Sequence, residues 1–409
     1  MDVCGKTVAM FHRAHRFSTA YPGQFWLMFF GMFLSTVGAS MIWPFLMVYV
    51  SEKLDLPLGT VASLLTINAT VSLGTAFLAG PIIDRVGRKW VMVISLLGNA
   101  LVYLMLGQAV TLTHFAVLMI FWGAFSPLYR VGGDAMLADL VPPEQRANAY
   151  ALLRTSNNVG VAIGPAIGGF MASSSYSIAF ICATMGLAGY GLLLALFARE
   201  TLPQKIHIDT PPENPFKGYK TILHDHHFLA TTAGLMLAQM CAVTFWVLMG
   251  VYTKTNYGIP ESLFGLIATT NAVIVILFQY AVTWGAKHFA PLRVMAAGAI
   301  TYAFAAFSVS MGTNFRDFWL SMVVLTVGEM LLVPIASTYI ANLAPVDMRG
   351  RYMSIYGLSW GVASGIASPV GGFLNDFIGP KAIWHGASLA GTIGAGFLLW
   401  LDLHTRKET

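Results

Sequence analysis

Long apolar stretches separated by short polar connections dominate the chain. A membrane-crossing helix needs about 20 mostly apolar residues. Twelve segments meet that requirement: 24–50, 59–82, 89–110, 114–138, 147–171, 177–198, 227–252, 261–284, 291–313, 316–341, 348–375 and 380–401. They lack the apolar/polar alternation of barrel strands, so the pattern predicts helices. The longest polar interruption, 199–226, follows the sixth segment and holds RETLPQK, the PPENP turn and a charged run. It reads as a linker. The predicted fold is an all-α membrane protein, 12 transmembrane helices in two pseudo-symmetric six-helix bundles. Its parts are a cytoplasmic tail 1–23, a bundle 24–198, a linker 199–226, a second bundle 227–401 and a tail 402–409.

The two halves echo each other. A shift of 203 residues lays Trp43 on Trp246, Val48-Tyr49 on Val251-Tyr252, Pro57 on Pro260 and Asn68 on Asn271. The same shift lays Val91-Met92 on Val294-Met295, Pro142 on Pro345, Arg146 on Arg349, and Gly168-Gly169-Phe170 on Gly371-Gly372-Phe373. One offset over five segments predicts similar bundles with a site between them near the midplane.

One stretch, NNVGVAIGPAIGGF at 157–170, repeats glycine every four residues at Gly160, Gly164 and Gly168, with Pro165 and Gly169 beside them. In water this is a poor helix, since glycine costs about 1 kcal/mol and interior proline about 3 kcal/mol against alanine. In a membrane a bare strip lets another helix approach closely. The strip predicts tight, bendable packing between surfaces that rock, with Gly164-Pro165 sealing or bending one side of a cavity. Its repeat, GVASGIASPVGGF at 361–373, keeps only the final Gly-Gly-Phe.

Composition agrees with the spans. Residues are 56% hydrophobic and 10% charged, against about 25% charged in soluble domains. Of 23 basic residues, Lys53, Lys254, Arg316 and Lys381 lie on one side and Arg130 and Arg154 within segments. The rest share the side of the termini, which predicts cytoplasmic termini. This bias explains the net charge of +5 without nucleic acid. The basic N-terminus has no cleavable signal pattern. Cys4, Cys182 and Cys241 have no metal or redox spacing.

Residues 80–89, GPIIDRVGRK, read by charge alone as an anchor after the second segment. Their order resembles the signature loop of the major facilitator superfamily, G-x-x-x-D-R-x-G-R-[RK], at Gly80, Asp84, Arg85, Gly87, Arg88 and Lys89. Gly160, Gly164, Pro165, Gly168 and Gly169 are similar to that superfamily's antiporter signature, g-x-x-x-G-P-x-x-G-G, typical of drug:proton antiporters. The resemblance covers essentially the whole chain and implies the major facilitator fold. It also implies that Asp84 and Arg88 latch the halves on the cytoplasmic side in the outward-facing state. The second-half counterpart, WGAKHFAPLRVM, lacks the aspartate, so such a latch is one-sided. Asp139 is expected to partner Arg85 and Arg88.

Glu329, in TVGEMLLVP, is the one glutamate buried within a segment rather than at its edge. An acid there is costly to insert and is a functional candidate by default. It can take a proton or pair with a cation; the plainer reading is a neutral glutamate bonded to a neighbouring helix. Drug-exporting relatives carry a similar pattern to Gly328, Glu329 and Pro334. Arg130 and Asp134 lie one turn apart, and Asp134 can bridge Arg130 to Arg154, as a structural pair or a proton-sensitive one. An arginine in the fourth segment is often linked to proton transfer in the superfamily, but Gly132 and Gly133 after Arg130 fit its R-x-x-x-G pattern imperfectly. Asn157, Asn158 and Gln239 read as helix-joining groups. Trp43, Trp246, Tyr129, Asn68 and Asn271 are candidate cavity residues, with packing as the plainer role for the two asparagines. Tyr49 and Trp360 are weaker aromatic candidates.

His224 to His227 form a hydrated cluster rather than a metal site, and no nucleophile triad, P-loop or dinucleotide motif occurs. The expected protein is no enzyme and has no cofactor; its coupling ion is the proton. It is expected to be a monomeric secondary efflux transporter of the plasma or inner membrane. It would exchange protons for small lipophilic or cationic compounds by alternating access, in contact with membrane lipids. An exporter of one metabolite such as a sugar or amino acid, an uncoupled uniporter, and a sensor that moves nothing stay open.

Overall fold

The computed structural model describes residues 21–202, 219–345 and 348–405. Residues 1–20, 203–218, 346–347 and 406–409 lie outside the described residues, and with them most of the expected N-terminal tail and linker and the end of the C-terminal tail.

The described chain is helical throughout. Twelve long helices follow one another: α1 (Gly23–Leu54), α2 (Leu58–Val86), α3 (Arg88–Leu106), α4 (Leu112–Leu140), α5 (Pro143–Ser174), α6 (Tyr176–Phe197), α7 (His226–Tyr257), α8 (Glu261–Ala286), α9 (Pro291–Met311), α10 (Phe315–Leu343), α11 (Arg349–Phe377) and α12 (Ala382–Thr405). A short helix, Tyr219–His224, precedes α7. Ten of the twelve are long and apolar enough to cross a membrane; α5 and α11 carry too many polar residues and glycines to count by that measure. These two are related by the 203-residue repeat.

Local chemistry sets the helix starts. Thr111 accepts from the His114 N–H at 3.2 Å, and Asp225 accepts from the Phe228 N–H at 2.9 Å. Asn314 and Asp317 form a capping box at α10. The repeat-related prolines Pro57 and Pro260 stand just before α2 and α8. In α1, Pro44 lies in a 3-10 turn, Trp43–Phe45, that interrupts the helix.

Within the first bundle α1 packs on α5 and α6, while α3 packs on α4 and α6; the second bundle repeats this with α7, α11, α12, α9 and α10. The bundles meet mainly along two seams, α2 on α11 and α5 on α8. The offset is visible in contacts as well as residues. Gly168 packs on Met41 of α1, and its counterpart Gly371 packs near Thr244 of α7, which is 203 residues beyond Met41. The next residues cross between bundles: Gly169 sits on the Glu261 carbonyl at the start of α8, and Gly372 on Gly59 at the start of α2.

The glycine strip packs as tightly as its sequence suggested, and Pro165 lines the cavity, but the three spaced glycines make their contacts inside one bundle. Gly160, Gly164 and Gly168 face Thr36, Ser40 and Met41 of α1, inside the same bundle. Pro165, through its carbonyl on Gly265, and Gly169 touch the other half. A four-residue spacing marks one face of a helix, but α5 is wedged between α1 and α8 and uses two faces.

Candidate functional site: a central cavity sealed at one end

Between the bundles lies a cavity of about 510 Å³. α1 brings Thr36, Ser40 and Trp43; α3 and α4 bring Asn99, Ser126 and Tyr129. The 3-10 turn exposes Trp43, whose ring lies 6.3 Å from that of Trp246 on α7. α8 and α10 bring Asn271 and Glu329, and α11 brings Trp360. The repeat makes this wall legible: Trp43 pairs with Trp246, Asn157 with Trp360, and Ser126 with Glu329. The two-fold arrangement is broken where it matters chemically, with a hydroxyl on one side and a carboxylate on the other.

Glu329 is half-buried, and its Oε2 accepts from the Asn271 amide at 2.8 Å. The same amide donates to the Thr326 hydroxyl at 3.0 Å. Opposite, the Thr36 hydroxyl donates to Asn157 Oδ1 at 3.1 Å, and Ser126 lies 3.5 Å from Asn99 Oδ1. Arg154 of α5 lies near enough to act electrostatically on Glu329, with no ion pair between them among the described residues.

Two expected cavity residues fall elsewhere. Asn68 donates its amide to the Met119 carbonyl at 3.2 Å, which commits it to the contact between α2 and α4. Tyr49 is buried with its hydroxyl on the Gly107 carbonyl at 2.9 Å. Arg130 and Asp134 are exposed in a second cavity of about 500 Å³ that is also lined by Gly80 and by Met353 to Ile355, Gly357 and Leu358 of α11. Asp134 feels the charge of Arg130 but does not bridge it to Arg154. The two arginines face different spaces: one lies by the second cavity, the other by Glu329.

The loop between α2 and α3 is held within the first bundle. Arg88 meets Asp84 at 3.1 Å and Asp139 at 3.2 Å. Arg85 has no ion pair among the described residues. Gly87 has φ +99°, a conformation that favours glycine. Its turn lets the Glu200 carboxylate accept from the N–H groups of Arg88 at 2.9 Å and Lys89 at 3.2 Å. Sequence reading left Glu200 as part of a linker, although its carboxylate is a natural partner for the N–H groups at the start of α3. Among the described residues the loop makes no hydrogen bond or ion pair to the second bundle, so the expected latch between halves is not formed in this conformation.

The closed end is the one opposite the termini. There Asp376 of α11 accepts from the N–H groups of Leu58 at 3.1 Å and Gly59 at 2.7 Å, across the first seam. At the second seam Lys254 pairs with Glu52 of α1 at 2.5 Å and also with Glu261, which accepts from the Tyr176 hydroxyl at 2.6 Å. Lys254 was legible as an exception to the charge bias, but its partners were not. Towards the termini the first seam continues through Thr66, which donates to the Gly365 carbonyl at 2.7 Å. It reaches Leu73 beside Gly361, then parts around the second cavity.

Two helical bundles with a cavity between them, sealed at one end and parted at the other, define a membrane transporter. The chain belongs to the Major Facilitator Superfamily, whose profile matches residues 28–255 and 232–409. It is similar to the uncharacterized MFS-type transporter YqjV of Bacillus subtilis, with 25% identity over 94% of this chain and 95% of that one. It is 25% identical to a Na(+), Li(+), K(+)/H(+) antiporter of Planococcus maritimus, over 82% of this chain and 86% of that protein. It is 23% identical to the multidrug resistance protein MdtH of Yersinia pestis, over 95% and 96%. In fold it resembles a POT family transporter crystallised with a thioalcohol-conjugated peptide (TM-score 0.78, 15% identity, 95% of this chain and 97% of that one).

Proposed function

We propose that the chain exports small amphipathic organic cations in exchange for protons, by alternating access to the central cavity. The observation that carries this reading is the lining: one carboxylate, Glu329, among indole and phenol rings, with no lysine or arginine lining this cavity among the described residues. Aromatic faces and a carboxylate both attract a cation. A proton and a cationic substrate compete for Glu329, and that competition is the basis of exchange. The relatives named for multidrug resistance and for cation/proton antiport support the class of reaction.

The bias of basic residues supports termini in the cytoplasm and a place in the cell membrane. On that orientation the sealed end faces outward, and the cavity is poised to load from the cytoplasm. Substrate would then be released outward when the seal opens and the halves close around Asp84 and Arg88. Arg130 and Asp134, beside the parting seam, are suited to respond to that closure.

The test is efflux from everted vesicles. Glu329→Gln should lower proton-coupled movement of a cationic dye at least tenfold, while unchanged efflux would remove Glu329 from the mechanism. A second reading, export of one polar metabolite, is favoured by the hydroxyl and amide groups around Asn157 and Asn99. A narrow competition profile limited to sugars or amino acids would select it.

A further inference from the structure

Asn271 is buried on α8, and its amide divides between Glu329 and Thr326, both on α10. The repeat supplies a comparison inside the same molecule. Its counterpart Asn68 faces α4 and donates to a backbone carbonyl, that of Met119. Gly123 and Ser126 stand where Thr326 and Glu329 stand in the second half. Joining two packed helices therefore needs no carboxylate. In the second half the same amide has been redirected to the cavity acid.

The helix that carries Asn271 also carries the outer seal. Glu261, in the first turn of α8, is held by Lys254 and Tyr176, and Gly169 rests on its carbonyl. Ten residues of helix, about 15 Å, separate Glu261 from Asn271. A hydrogen bond to an ionised carboxylate is roughly twice as strong as one to a neutral group. Protonation of Glu329 therefore weakens the tie between α10 and α8, at a fixed distance from the seal.

We infer that Asn271 is a positioning residue: it holds the Glu329 carboxylate on the cavity wall and links it through α8 to the outer seal. The inference rests on the reading of Glu329 as the coupling acid. The other charged or titratable groups around that acid are Arg154 on α5 and Tyr302 on α9, with Cys241 of α7 against Tyr302 and Tyr356 of α11 nearby. Tyr302 lies on α9, which does not enter the seal, and α5 joins Arg154 to Gly169 at the seal only past Pro165, whereas no proline interrupts α8 between Asn271 and Glu261.

The test uses full-length protein in liposomes, with a cationic dye and an imposed pH gradient. Asn271→Ala should move the half-maximal pH of exchange upward by about one unit, the equivalent of a lost hydrogen bond to a charged group. Asn271→Ser, which keeps a donor, should restore at least half of that shift. Hydrogen exchange supplies a second readout. In the parent, Glu329→Gln should raise exchange at 52–60 and 257–265 at least threefold; in the Asn271→Ala background that response should vanish. If Asn271→Ala fails to fold, Asn271→Leu, which also lacks a donor, decides, and a donor-less variant with the parent's pH profile and exchange response would overturn the inference. If Glu329→Gln itself keeps pH-dependent exchange, the reading of Glu329 fails instead, so the two failures are distinct.

Discussion

Asp376 of α11 closes the start of α2 in the opposite bundle, its two carboxylate oxygens accepting from Leu58 and Gly59. A helix N-terminus presents unpaired N–H groups and a partial positive charge, and a carboxylate satisfies both. Here the cap comes from the other half of the molecule, so it exists only while this end is shut. Loss of such a cap costs about 1 kcal/mol. Asp376→Ala should therefore raise the ratio of outer-open to outer-closed molecules roughly fivefold. Spin-label distances between the outer ends of α2 and α11 report that ratio, and an unchanged distribution would mean the cap does not hold the seam.

The second seam predicts a larger effect. Lys254→Met leaves Glu52 and Glu261 facing each other without their shared cation, and Glu261 is buried. Lys254 itself is partly open to solvent, which screens the loss, so about 1–2 kcal/mol of outer closure should go. Removing the buried acid as well, in Lys254→Met with Glu261→Gln, should recover part of it, because an unpaired buried charge is the costly species. A cycle of the two single variants and the double, read by the same distances, should show a coupling of at least 0.5 kcal/mol. Strict additivity would refute the pairing.

Backbone contact at the seams gives a steric prediction. A Cβ on Gly372 would lie 2.5 Å from Gly59 Cα, closer than real side chains come. Gly372→Val should hold the outer end open and slow exchange at least tenfold. Gly357, on the same helix, has nothing within 4 Å of such a Cβ. Gly357→Ala should leave exchange within twofold of the parent. Equal behaviour of the two variants would separate transport from this contact.

Much of the architecture was legible because membrane burial writes itself into sequence. Runs of about 20 apolar residues match the thickness of a bilayer and seldom suit a water-soluble chain. One offset through Trp43, Pro57, Asn68 and Gly168 reflects a repeat that the contacts of Gly168 and Gly371 share. Glu329 stood out because an acid within an apolar run needs a reason. The failures have a common cause. Asn68 and Asn271 look equivalent in the chain, yet only the second turns to the cavity, because what an amide meets depends on the facing helix. Asp376, Glu52 and Glu200 lie near helix ends, where a charge is ordinary. Only the approach of a distant segment gives each one a role, and spacing along the chain does not carry that information.

The glycine strip gives the sharpest contrast between packing and motion. Gly164 rests on Ser40 of α1, so Gly164→Leu would drive apart two helices of one bundle. Overpacking of this kind costs about 1–3 kcal/mol. Gly169, five residues on, meets the Glu261 carbonyl of the other bundle, where added bulk acts on the seal. Gly164→Leu should therefore lower thermal stability and yield while the surviving protein keeps its spin-label distribution. Gly169→Val should keep stability near the parent and shift the distribution towards outer-open. Circular dichroism melts paired with the distance measurement separate the two. A Gly164→Leu protein of normal stability but altered conformational ratio would return the strip to the rocking interface.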